Sequence, residues 1–295
     1  MNPAFLDRLL WSNKKTKQLP EQTYLGETAS TRVRYRDSGG SEQAIVFLCD
    51  PPVTVEAYDG LIKRLAPDYR VLVMELPGFG HSKPRSSKAY EFLAAVEAIE
   101  SLLLQLNVGP AILCAPCICG FVATSMVQRG KANVAGLVLM QTPDLQEMRA
   151  WVDRMDPKGL LRVGFLGQLV VRATASRITR FWFKYATAKQ FDQRSLVEMT
   201  LNASAAYPLA TMLQRWSRHL TQQSSDIPAL AIWGKQDRSH RDTPSESSLQ
   251  HVPGAEIVEF EQCGHFSELE DPDAFLLATR HFFSSLKTNV AGNVT

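Results

Sequence analysis

Short apolar runs alternate with stretches in which apolar side chains recur every three or four positions, and that alternation organises most of the chain. TYLGE (23–27) and TRVRYRDS (31–38) read as two strands joined by a turn at Thr28-Ala29-Ser30. AIVFLC (44–49) is apolar throughout, which predicts a strand buried on both faces, and helical spacing follows from Val55 to Leu65. YRVLVMEL (69–76) is a second buried strand, ending in Pro77-Gly78-Phe79-Gly80. AYEFLAAVEAIESLLLQL (89–106) carries the periodicity of an amphipathic helix. Next come a strand at AILC (111–114), a turn of small residues, a helix to about Arg129, and a strand at VAGLVLMQT (134–142).

Residues 144–220 then show helical patterns with no strand among them. The alternation resumes with IPALAIWG (227–234), a helix around Ser245 to Gln250, AEIVEF (255–260) and a final helix from about Asp273 to Ser285. Strands alternating with helices predict a mainly parallel eight-stranded sheet flanked by helices, an α/β fold. The strandless segment reads as an insertion between the sixth and seventh sheet strands. This gives a core of residues 1–143 and 221–295 and a helical cap of residues 144–220.

Composition narrows the function classes. The 295 residues are 45% hydrophobic and 21% charged, as in an ordinary globular protein, and the net charge is +2. So small a charge gives no global attraction for nucleic acid. No run approaches the roughly 20 uncharged apolar residues of a membrane span. The N-terminal cluster Phe5, Leu6, Leu9, Leu10 and Trp11 precedes a basic run and lacks the features of a secretion signal. It reads as a short amphipathic helix packed on the domain, with a membrane-surface helix as the alternative, and the cytoplasm is the default location. Five cysteines, an odd number without secretory context, argue against a disulfide framework.

The stretch AILCAPCICGFVA (111–123) carries the candidate chemistry. A strand that stops at small residues around one reactive side chain, then turns into a helix, has the pattern of a nucleophile elbow. Here Cys117 holds the reactive slot, and Ala115 and Cys119 stand in the small flanking positions. Three readings of Cys117 are open: a nucleophile, a metal or redox site through the Cys114-x-x-Cys117 spacing, and a small buried hydrophobe. Zinc needs four ligands in tetrahedral reach, and an elbow sends Cys114 into the sheet, so neither a metal nor another cofactor is expected.

With these elements in order, the chain resembles the α/β-hydrolase superfamily from about residue 23 to 286. Glu75-Leu76-Pro77-Gly78-Phe79-Gly80-His81-Ser82 is similar to the family's D-x-P-G-x-G-x-S turn, with Glu in the Asp slot. The elbow at Cys117 follows, then Ile232-Trp233-Gly234-Lys235-Gln236-Asp237, then Gln262-Cys263-Gly264-His265-Phe266 before Glu270-Asp271-Pro272. The resemblance implies a nucleophile–acid–histidine order of Cys117, Asp237 and His265. The imidazole would take the thiol proton, and the carboxylate would hold its tautomer. The alternative for Asp237 is a turn or cap residue, with Asp144 after the sixth strand as the substitute acid. Dienelactone hydrolases and polyhydroxyalkanoate synthases, of similar fold, place cysteine in this slot.

Two departures from the family pattern bear on activity. Cys119 stands where glycine normally lets helix and strand approach closely. After the third strand, Cys49-Asp50-Pro51 replaces the family's His-Gly-x, and Pro51, in the oxyanion-donor slot, has no N–H. One missing donor typically costs about 100–1000-fold in rate. Ile118 N–H would remain, and Val53 N–H or the Thr54 hydroxyl would be the replacement. An inward-pointing Asp50 would oppose an oxyanion.

The cap interleaves Arg149, Arg154, Arg162, Arg172, Arg177, Arg180, Lys184 and Arg194 with aromatic and aliphatic residues. It reads as a solvated basic face over an apolar inner face, or as a greasy pocket with a cationic rim for an acyl chain on coenzyme A or a carrier protein. The expectation is acyl transfer or hydrolysis on a small apolar ester, thioester or lactone through Cys117, His265 and Asp237. The alternative is a non-hydrolytic member that uses His265 as a base for elimination or cyclisation, or a pseudoenzyme that binds an apolar or carrier-bound ligand.

Overall fold

The computed structural model describes residues 3–12, 21–203 and 208–291. The basic run after the N-terminal helix and the side chains of Leu10 and Trp11 lie outside the described residues. Nine strands form one mixed sheet: β1 (Thr23–Glu27), β2 (Thr31–Asp37), β3 (Ala44–Cys49), β4 (Arg70–Glu75), β5 (Lys83–Pro84), β6 (Ala111–Pro116), β7 (Val134–Met140), β8 (Ala229–Gly234) and β9 (Glu256–Phe260). The order β1-β2-β4-β3-β6-β7-β8-β9 contains the eight strands expected from the sequence. The ninth, β5, is a two-residue pairing of Lys83 and Pro84 with Arg32 and Thr31 at the start of β2, too short to leave a periodic signal.

β1, β2 and β4 pair antiparallel, and from β4 through β9 every neighbour is parallel. β3 and β6 are buried at every position, as continuous apolar runs require when helices cover both faces. Among these helices, α1 (Ala4–Ser12), α2 (Asp59–Leu65), α3 (Phe92–Gln105) and α4 (Ile118–Arg129) precede the insertion. Phe47 of β3 packs on Tyr58 just before α2 and on Phe275 of the C-terminal helix, with ring centroids 5.5 and 6.1 Å away. α3 and α4 pack on each other and over β2, β6 and β7. The helix expected from residue 89 begins later, because Glu91 is extended (φ −87°, ψ 144°) and Ser87–Tyr90 form a separate 3-10 turn.

One buried ion cluster ties the first strands to the turn after β4. Arg34 of β2 reaches Glu75 at 3.0 Å and also pairs with Glu56. Glu75 accepts the His81 N–H at 2.6 Å, and Ser82 Oγ accepts the Arg34 N–H at 2.9 Å while donating to Glu75 O at 3.1 Å. Gly80 sits at φ +52° with the Glu75 carboxyl carbon 2.4 Å from where a Cβ would be, so this turn needs glycine there. The larger Glu in the Asp slot is thereby accommodated.

The inserted segment between β7 and β8 forms α5 (Leu145–Met155), α6 (Leu166–Ala186), α7 (Arg194–Asn202) and α8 (Leu209–His219). Trp216 of α8 is buried against Phe79 and Phe92, and its indole donates to Tyr90 O at 3.0 Å. Thr200 of α7 donates to Pro52 O at 3.1 Å. These contacts lay the insertion over the carboxyl ends of the parallel strands, where open α/β sheets carry their clefts. After β9 come α9 (Ser267–Glu270) and α10 (Pro272–Ala291). No helix of the described residues is long and apolar enough to cross a membrane.

Candidate active site

β6 stops at Pro116, and Cys117 follows at φ 47°, ψ −118°, a region that costs a non-glycine residue about 1–3 kcal/mol. The kink is pinned by Cys117 N–H to Met140 O at 2.7 Å and Gly120 N–H to Cys117 O at 3.1 Å. α4 starts at Ile118, whose N–H belongs to the helix end that has no intrahelical acceptors. The close approach falls one position later than the family pattern suggests. A Cβ on Gly120 would lie 2.3 Å from Thr142 Cγ2, whereas Cys119 fits in the core with its thiol donating to Cys49 O at 3.4 Å.

His265 follows β9 and Asp237 follows β8, and His265 Nδ1 meets Asp237 Oδ2 at 2.6 Å. The Asp237 carboxylate is saturated. Oδ1 accepts the Ser239 N–H (2.8 Å) and hydroxyl (2.7 Å), and Oδ2 also accepts Gln141 Nε2 (2.8 Å). Gln141 Oε1 in turn accepts the Gly234 N–H at 2.6 Å, which fixes the start of the Asp237 loop to the end of β7. Asp144, the substitute acid in the sequence, instead caps α5 by accepting the Glu147 N–H at 2.8 Å. The sequence reading did not single out Gln141 or Ser239. The one available signal was a polar side chain directly after an apolar strand, in Met140-Gln141.

The other imidazole nitrogen meets an acid as well. His265 Nε2 lies 3.2 Å from Asp50 Oδ2, and one ligating atom each of Asp50, Cys117 and His265 lie within 4.8 Å of one another. The oxyanion side is correspondingly altered. Pro51 lines the pocket without an N–H, and the Val53 N–H is taken by Asp50 O at 2.7 Å. Neither Val53 nor Thr54 is among the pocket-lining residues, so neither expected replacement donor lines the pocket. Ile118 lines the pocket.

Burial opposes the charge on His265, yet Asp237, with contacts to Asp50 and Cys117, holds its proton well above the ordinary histidine range. Burial likewise opposes ionisation of Asp237, but the neighbouring imidazoles and Ser239 keep it well below the carboxylate range. Burial and then the Asp50 charge push the Cys117 thiol up to about 11. The resting thiol therefore keeps its proton at neutral pH.

His240 stacks between Trp151 (5.8 Å) and His265 (5.5 Å), and burial pushes its pKa down to about 3. Asp237 pulls that value up, while His265 and Arg154 push it down. A base held neutral in the fold loses stability as the pH falls from 6.5 towards 3, because the unfolded chain takes the proton first. The slope is at most about 1.4 kcal/mol per pH unit. Urea midpoints measured over this window should fall less steeply in His240→Gln than in the parent, and equal slopes would remove His240 as the cause.

The pocket is lined by Asp50, Pro51, Cys117 and Ile118 from the core and by Trp151, Val152, Trp182, Met212, Leu213, Trp216 and Leu220 from the insertion. Asp50 is its only charged member. Arg149, Arg154, Arg172, Arg177, Arg180, Lys184 and Arg194 are exposed, and Arg162 pairs with Asp153 and Asp156. Among the described residues, the Trp151 and Trp182 indole N–H groups are buried with no protein acceptor. All five cysteines are free thiols, and Cys49, Cys114 and Cys263 are buried outside the pocket lining.

A family model described as alpha/beta hydrolase fold matches residues 52–272. The chain is 22% identical over 265 residues to the 2-hydroxy-6-oxononadienedioate/2-hydroxy-6-oxononatrienedioate hydrolase 1 of Dechloromonas aromatica, covering 83% of this chain and 88% of that one. It is 25% identical over 256 residues to the pimeloyl-[acyl-carrier protein] methyl ester esterase of Vibrio cholerae, covering 83% and 96%. A loop variant of the haloalkane dehalogenase of Bradyrhizobium elkanii superposes with a TM-score of 0.72 at 14% identity, covering 92% and 98%.

Proposed function

The chain belongs to the α/β-hydrolase fold family, and from that premise we propose that it is a hydrolase or acyltransferase that carries an apolar acyl group on Cys117. The observation behind this reading is the strained elbow. Cys117 is held at positive φ beside an imidazole whose far nitrogen is fixed on Asp237 at 2.6 Å. Such strain persists where a site is over-determined by its surroundings.

In this reading Cys117 Sγ attacks the carbonyl carbon of an ester, thioester or lactone while His265 Nε2 takes the thiol proton. The carbonyl oxygen gains the charge and faces the Ile118 N–H. Collapse breaks the bond to the leaving alcohol or thiol, which receives the proton from His265. Water or an acceptor alcohol or thiol then gives its proton to His265 and displaces Cys117 by the same route. Asp237 orients the imidazole and balances its charge throughout. The proton that His265 holds at rest passes from Nε2 to Asp50 Oδ2 as the thiol engages, which frees Nε2 as the base and leaves Asp50 in its acid form to donate to the oxyanion in place of the N–H that Pro51 lacks.

The lining from the insertion, which acts as a cap, favours an apolar acyl chain. The two unpartnered indole N–H groups favour a substrate with an acceptor oxygen. The esterase relative acts on a carrier-linked acyl ester, and the exposed cations of the cap suit a carrier or coenzyme A on the leaving side.

One observation favours a second reading. Asp50 on Nε2 suits a member that uses His265 as a base without a covalent step, or one that only binds a ligand. Intact-mass measurement after brief exposure to acyl-coenzyme A thioesters and p-nitrophenyl esters separates the two. The covalent enzyme should gain the acyl mass at Cys117, lose it with time, and show no adduct as Cys117→Ala. Turnover that survives Cys117→Ala but not His265→Ala would assign base-only chemistry instead.

A further inference from the structure

We propose that Asp50, Cys117 and His265 form a binding site for one thiophilic divalent cation of the zinc type, and that its occupancy silences the enzyme. The site stands on the geometry of these three side chains and goes beyond acyl transfer; only the silencing rests on that reading.

The three donors come from three loops, after β3, after β6 and after β9, which is why cysteine spacing did not reveal them. A tetrahedral zinc with nitrogen and oxygen ligands at their usual lengths sets those two atoms about 3.3 Å apart. His265 Nε2 and Asp50 Oδ2 are 3.2 Å apart, and a ligating atom of each of the three residues lies within 4.8 Å of the others. Asp237 on Nδ1 leaves Nε2 as the ligating nitrogen and fixes the ring, the carboxylate–histidine–metal arrangement of protein zinc sites. The pocket adjoins Asp50 and Cys117 and leaves room for water or ligand in a fourth position.

Charge supports the same conclusion. A carboxylate and a thiolate around a dication sum to zero in a site where an unpaired charge is costly. Binding breaks the S–H bond and releases that proton to solvent, together with any proton shared by Asp50 and His265. Thiolate and imidazole favour zinc or cobalt over magnesium or calcium. The neighbouring group of Asp237, His240 and His265 has no such capacity, because both Asp237 oxygens are already saturated. A cation on Cys117 occupies the nucleophile, so acylation stops until it leaves.

The test uses tag-free protein stripped with EDTA and dialysed, then titrated with zinc against a chromophoric chelator and, separately, with cobalt. One ion per chain and a near-ultraviolet sulfur-to-cobalt band are expected. The band should vanish and zinc binding weaken more than about 10-fold in Cys117→Ser, while Asp237→Asn, which touches no ion, weakens it about 10–100-fold. Cys263→Ser should change neither, and magnesium should not compete. If Asp237→Asn fails to fold, alkylation of Cys117 in the folded parent replaces it and should block the band. No band in a folded parent, or an equal band in Cys117→Ser, overturns the site. Acylation of Cys117 in a protein that takes no cation leaves the nucleophile reading standing alone. Cation binding without acylation after EDTA removes only that reading.

Discussion

His265→Ala should lower turnover of whichever ester or thioester labels Cys117 by about 10⁴–10⁶-fold, with EDTA present. The size follows from the state of the thiol. Burial and the Asp50 charge push Cys117 up to about 11, so at neutral pH only about one thiol in 10⁴ is ionised without help. A preformed thiolate would tolerate loss of its base far better. Here the proton leaves during attack, and the imidazole on Asp237, once its own proton has passed to Asp50, is the acceptor within reach. Initial rates on folded protein, verified by circular dichroism, check the expectation. A loss below about tenfold would mean that His265 is not the base.

Arg34→Ala should destabilise the protein by about 3–5 kcal/mol, the usual result of leaving one member of a buried ion pair alone. Glu75 is fully buried and loses its 3.0 Å partner, while the backbone N–H of His81 still points at it. Burial already pushes Glu75 up to about 7, so it would meet the loss partly by taking a proton. The double variant Arg34→Met with Glu75→Gln removes both charges and should recover much of the stability. Urea unfolding of the two variants checks this, and a single variant within about 1 kcal/mol of the parent would refute it.

The sheet was legible because β3, β6, β7 and the Val71–Met74 centre of β4 lack charged residues and each strand is followed by a helix or its signals. The meeting of Cys117, Asp237 and His265 was legible because the strand order of a parallel sheet brings their loops together at one edge. Asp50 on His265 Nε2 was not. It depends on how Asp50-Pro51-Pro52-Val53 folds back, with the Val53 N–H on Asp50 O, and no periodicity encodes that loop. The sequence placed the elbow's tight contact at Cys119 by family habit. The structure moves it to Gly120, because Thr142 sits across from that position. Gln141 escaped notice because one polar residue after a strand has no signature beyond its position.

The carboxyl end of α6 is tied to the loops that carry Asp237 and His265. Ala186 O accepts the His265 N–H at 2.9 Å, Tyr185 O accepts Arg238 Nε at 3.1 Å beside Asp237, and Glu270 accepts the N–H groups of Ala188 (2.8 Å) and Gly264 (2.9 Å). If the insertion swung as a lid, a hinge at this end would drag the imidazole off its acid. Any such opening would therefore belong to the far half of α6 and to α5 and α8. For the same reason, an insertion transplanted from a relative must leave residues 184–188 with the recipient core, or the His265 N–H loses the carbonyl that seats it.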